Sequence, residues 1–159
     1  MRSSRSVFYG AKFVDTAKKH GVKITIENNK TIAELREEFN RAFPYLKIEF
    51  YSAPYEAKKL QPQSKLIKHD KTLQFCRKGG IEGLLTLNPN HSVANFEKEL
   101  WDTYGLSAQV FRKSGSLWIE TSLTDSWTLL QQNLEGEQMT SAMLDDSAGI
   151  DFSDRDQVD

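Results

Sequence analysis

Apolar and polar residues alternate over Val22 to Glu27 (VKITIE), between Gly21 and the pair Asn28 and Asn29, which is the form of a half-buried strand. The period then changes. Ile32, Leu35, Phe39 and Phe43 fall at helical spacing, Thr31 can cap with Glu34 three residues on, and Pro44 forbids continuation, so a helix is predicted over about 31–42. Leu46, Ile48 and Phe50 alternate with Lys47, Glu49 and Tyr51 as a second strand. The order then returns: 84–87 as strand, Ser92 as N-cap, 93–104 as helix, Gly105 as its stop and 107–112 as strand. Lys113, Ser114 and Gly115 turn the chain into 116–121, a hairpin strand with Leu117 and Ile119 on the face opposite Trp118 and Glu120. A further strand is predicted at 72–77, and a short helix at 124–134 with Trp127, Leu130 and Leu134 on one side.

The return is an internal echo. Ile24 to Pro44 can be laid without a gap on Leu85 to Gly105, at an offset of 61. In that register Thr25, Asn29, Ala33 and Glu38 recur as Thr86, Asn90, Ala94 and Glu99. The apolar positions Ile24, Ile26, Ile32, Leu35, Phe39 and Phe43 meet Leu85, Leu87, Val93, Phe96, Leu100 and Tyr104. A shared pattern of burial points to one supersecondary unit used twice. Two strand–helix–strand units in succession predict an α+β fold, a ferredoxin-like sandwich with both helices on one face of an antiparallel sheet and an extra hairpin strand at one edge. The competing parse starts at 72–77, pairs it with 83–88, and continues through the 92–104 helix into the 107–121 hairpin, giving a β-grasp.

In segment order and spacing, LQFCRK through LLTLNPNHSVANFEKEL to AQVFRKSG, within residues 72–121, resembles ubiquitin-like β-grasp domains. That resemblance implies a sheet surface used for binding, without conjugation, because the chain ends in RDQVD in place of a Gly-Gly pair. The stretch GLSAQVFRKSGSLWIETSLTDSWTLLQQN is similar to a family of small bacterial α+β proteins with no assigned activity, a resemblance that transfers no site residues.

At 159 residues and 38% hydrophobic content the chain can build one ordinary core. The expected organisation is an N-terminal helix or extension over 1–21, a single domain over 22–135 with a long basic loop at 53–71, and a disordered acidic tail over 136–159. No apolar run approaches the roughly 18 to 20 residues that cross a bilayer, so no membrane contact is expected. The first twenty residues carry no secretory h-region, since Lys12, Asp15 and Lys18 interrupt each apolar stretch. A single cysteine, Cys76 beside Phe75, reads as a small buried residue in a reducing, cytoplasmic setting.

Chemistry-bearing motifs are sparse along the chain. His20, His69 and His91 have no ligand partner at metal spacing, and no GxGxxG, GxxxxGK[ST], GxSxG or HExxH occurs. Glu37, Glu38, Glu97 and Glu99 read as the solvated faces of amphipathic helices. Neither a metal nor a cofactor is expected, nor an enzyme. Charge is the stronger signal. A formal net charge of −1 conceals seven Lys or Arg against Asp70 over 57–78, six basic groups against Asp15 over 1–23, and eight acids against Arg155 over 135–159. Opposed blocks suggest partners, or a tail folding over the loop.

The candidate surface therefore comprises Lys58, Lys59, Lys65 and Lys68 of the loop, with Arg112, Lys113, Trp118 and Trp127 near the hairpin. Trp118 beside Arg112 has the composition of an interface hot spot, which favours a protein partner. Single-stranded nucleic acid is the alternative, with Phe50, Tyr51, Phe111 and Trp118 as stacking platforms and the acidic tail as an autoinhibitor.

Overall fold

The computed structural model describes residues 21–148. The expected helix or extension before Gly21, and the acidic residues after Ala148, lie outside them. The chain is α+β. Its elements are β1 (Val22–Ile26), α1 (Ile32–Ala42), β2 (Leu46–Phe50), the short helix α2 (Leu73–Cys76), β3 (Gly83–Leu87), α3 (Val93–Tyr104), β4 (Ala108–Ser114), β5 (Leu117–Glu120) and α4 (Leu129–Ala148). No helix among the described residues is long and apolar enough to cross a membrane.

Local chemistry sets most of these boundaries. Thr31 and Glu34 form the capping box of α1: Thr31 N donates to Glu34 Oε2 at 2.8 Å and Glu34 N to Thr31 Oγ1 at 3.2 Å. Those bonds from the backbone and hydroxyl of Thr31 hold the Glu34 carboxyl below its ordinary range. Ser92 caps α3, and Gly105 ends it in the left-handed region at φ 65°. Gly115 at φ 63° supplies the first central residue of the tight hairpin between β4 and β5.

The strands divide into two antiparallel ladders, β1–β3 and β2–β4–β5. A single sandwich sheet would also pair β2 with β3 and β1 with β4, and neither pairing occurs. The reason lies in the register. Ile24 faces Leu85 across β1–β3, and Ile48 faces Val110 across β2–β4. Ile24 and Leu85 are the residues that the echo superposes, so first strand meets first strand and second meets second, burying like faces together. Phe39 and Phe96, from α1 and α3, stack at 5.6 Å in the one core cluster to which both ladders contribute apolar residues.

The N-caps meet in the same way. Ile32 N donates to Lys71 O at 2.9 Å and Leu73 N to Lys30 O at 2.8 Å, while Val93 N donates to Trp127 O at 2.9 Å and Leu129 N to His91 O at 3.0 Å. Each long helix thus starts against the start of the helix that closes its half.

Two elements differ from expectation. Residues 72–77 are not a strand: Thr72 caps the turn Leu73–Cys76, accepting from Phe75 N, and this removes the first strand of the β-grasp parse. The last helix starts later and runs further, so residues 136–148 are helical where a disordered tail was expected. It opens with its own capping box, Thr128 N to Gln131 Oε1 at 2.9 Å and Gln131 N to Thr128 Oγ1 at 3.0 Å. Its buried side is Leu129, Gln132, Asn133, Gly136 and Thr140, whereas Trp127 and Leu134, expected on one side with Leu130, are exposed. Polar atoms secure that side: Tyr45 N donates to Asn133 Oδ1 at 2.9 Å and Gly115 N to Thr140 Oγ1 at 3.2 Å.

Candidate interaction surface

Alternation along the three-stranded sheet sends Leu46, Ile48 and Phe50 into the core and leaves Lys47, Glu49 and Tyr51 on the second face. Gln109 and Phe111 of β4, and Trp118 and Glu120 of β5, share that second face by register. Phe50 is wholly buried and Tyr51 is 2% exposed, so neither is a stacking platform. Phe111 and Trp118 are half-buried and hold a cation of their own: Lys47 Nζ lies 5.1 Å and 5.2 Å from their ring centroids.

Trp118 separates two clefts. One, of about 330 Å³, is lined by Arg36, Glu37, Asn40 and Lys47. The other, of about 360 Å³, lies between Tyr51, Phe111, Trp118 and Glu120 on the sheet and Leu60 to Gln63 of the loop. The loop is pinned over the sheet end, with Ser52 N donating to Lys65 O at 2.8 Å and Gln61 Nε2 to Ser107 Oγ at 3.2 Å.

The residues expected to form one surface separate into three places. Lys58, Lys59, Lys65 and Lys68 are exposed along the loop, Lys59 paired with Glu56 at 2.8 Å, and none of the four lines either cleft beside Trp118. Arg112 is a packing residue: NH1 donates to Gln132 Oε1 at 2.8 Å and its guanidinium carbon sits 5.6 Å from the Trp127 ring centroid, which fastens α4 to β4. Lys113 pairs with Trp118 in the hairpin register and is half-buried.

Two polar groupings escape sequence reading. Glu49, 5% exposed, receives Arg36 NH2 at 3.0 Å, His69 Nε2 at 3.0 Å and, at 3.6 Å, Lys47 Nζ. Arg36 NH1 also lies 2.7 Å from His69 Nδ1, so Nδ1 accepts and Nε2 carries the proton donated to Glu49. With both ring nitrogens engaged, His69 presents no free lone pair to a substrate.

Glu97, read as solvated, is 8% exposed. Burial, with Asp125 and Glu120 adding to it against the bond from Val110 N at 3.0 Å, pushes its carboxyl up from 4.5 to about 8. The echo lays Glu97 on Arg36, and both reach the middle of a strand edge, Arg36 Nε donating to Ile48 O at 3.1 Å. That equivalence was the available signal. Cys76 is 3% exposed and donates to Thr72 O at 3.2 Å; burial raises its thiol to about 11, leaving little thiolate. No three His, Cys, Asp or Glu side chains converge as a metal site among the described residues.

Side chains close most of the sheet's edges. On β2 the carbonyls of Leu46, Ile48 and Phe50 accept from Asn40 Nδ2 at 2.9 Å, Arg36 Nε at 3.1 Å and Ile67 N at 2.9 Å. On β4, beyond the reach of β5, Val110 O accepts from Thr121 Oγ1 at 2.8 Å and Val110 N donates to Glu97. β5 pairs with β4 alone among the described residues, and exposes Leu117 at 68% and Ile119 at 41%. Compared with known families, with curated proteins and with solved structures, the chain matches none.

Proposed function

We propose that this chain is a cytoplasmic, non-catalytic protein-interaction module that binds an extended segment of a partner protein by adding it as a strand to β5. One observation carries the reading: a sheet whose other free edges are closed by specific side chains leaves open the strand that also shows two large apolar side chains. Proteins ordinarily guard such edges with charge, proline or a bulge, and strand addition is the recurring use of an unguarded one. Main-chain bonds would supply affinity, and the alternation of β5 would direct successive partner side chains to the Leu117–Ile119 face and to the Trp118 clefts.

Single-stranded nucleic acid is the second reading, favoured by the exposure of Lys58, Lys65 and Lys68 on one loop. A selection of displayed random peptides against the folded chain, followed by NMR mapping, separates the two. Strand addition perturbs the amides of Leu117 to Glu120, is lost in Ile119→Lys, and survives neutralisation of the four loop lysines. Failure to select any peptide, together with steeply salt-dependent binding of single strands through those lysines, would refute it.

A further inference from the structure

Resting on strand addition at β5, we propose that the 360 Å³ cleft beside Trp118 is the receptor for an arginine side chain of the partner segment. Two features of the cleft define that chemistry. Its walls are aromatic: Phe111 and Trp118, both half-buried, line it on the sheet, and both rings lie within cation–π distance of the Lys47 ammonium. Its carboxylate is uncompensated. Glu120 accepts only from neutral donors, Ser122 N and Ser122 Oγ at 2.9 Å each and Gln109 Nε2 at 3.5 Å, and has no cationic partner among the described residues.

A guanidinium answers both, because it is planar enough to stack on a ring, permanently charged, and carries several N–H donors in a fixed fork. An ammonium would meet the charge but not the stacking and forked donation. A carboxylate-bearing or apolar side chain would leave Glu120 opposed or desolvated.

The inference is tested without knowledge of the partner. N-acetylarginine amide and N-acetylcitrulline amide, which share shape but not charge, are titrated into the whole chain while the indole Nε1–H of Trp118 is followed by NMR. The arginine derivative is expected to shift that resonance saturably, the citrulline derivative at least about tenfold more weakly, and Glu120→Gln to erase the difference. N-acetyllysine amide should fall between them. Equal responses to arginine and citrulline, or none to either, overturn the arginine receptor whether or not a displayed peptide engages β5. Arginine selectivity at Trp118 without any response of the β5 amides to peptides would keep the receptor and refute strand addition.

Discussion

Glu97→Gln should stabilise this protein at alkaline pH and leave it nearly unchanged in mild acid. The glutamine keeps an oxygen for the Val110 N–H and removes the charge that burial opposes. A carboxyl raised in the native state to about 8 from 4.5 favours folding in its protonated form, so its contribution is fully present below 4.5 and is lost as pH rises through about 8. Within that window each pH unit costs the native state up to about 1.4 kcal/mol, so wild type should lose on the order of 3 kcal/mol against the variant between about pH 5 and pH 8. For a chain of this size the gap amounts to on the order of 10 °C in Tm. Urea or thermal unfolding of both proteins across that range provides the assay, and the difference between them cancels every other titrating group. A gap that stays constant with pH, or a wild type that gains on the variant as pH rises, would refute the reasoning.

Gly136→Ala tests the approach of α4 to the sheet. The added Cβ would meet Tyr45 Cβ at 2.9 Å and Arg112 Cγ at 3.1 Å, so despite a helix-propensity gain of up to about 1 kcal/mol the variant should be less stable in urea. Gln132→Leu removes the acceptor of Arg112 and both bonds to Thr124, and should cost about 2–4 kcal/mol, with amide exchange accelerating first along α4. Phe39→Ala, at the stacked pair with Phe96, should cost about 3–5 kcal/mol in thermal unfolding. Ile119→Lys should change stability by no more than about 0.5 kcal/mol, since the side chain is already exposed, while abolishing peptide addition at β5.

Periodicity and caps made the first three elements and the α3 helix legible, because apolar spacing and a Thr–Glu or Ser cap act locally and tertiary structure had no reason to override them. Elements were lost where burial is carried by residues that do not look buried. The inward side of α4 is Gln132, Asn133, Gly136 and Thr140 after Leu129, held by hydrogen bonds to backbone and to Arg112, so a hydropathy pattern that groups Trp127, Leu130 and Leu134 does not find it. Residues 72–77 carry strand-like composition, yet Thr72 has its partner at Thr31 and spends its hydroxyl on a helical turn. The candidate surface was legible in kind more than in place. Trp118 and Lys113 sit on β5 and its hairpin partner, but the loop lysines stand apart and Arg112 is structural.

The two halves diverge where equivalent positions carry unlike charge. Arg36 and Glu97 both reach a strand edge from the same place on equivalent helices, one meeting a carbonyl and the other an N–H, so each edge selects the sign of the residue that closes it. In the first half the result is a closed cluster, because Arg36, Lys47 and His69 all converge on Glu49. In the second half none of Glu97, Glu120 and Asp125 has an ion-pair partner among the described residues: Asp125 and Glu120 add to the burial that raises the Glu97 carboxyl, and Glu120 lines the cleft. Carboxylates left uncompensated cost stability unless something outside the chain offsets them. The half that holds them also carries the open strand and the cleft lined by Phe111 and Trp118, which is why the proposed cationic partner is placed there.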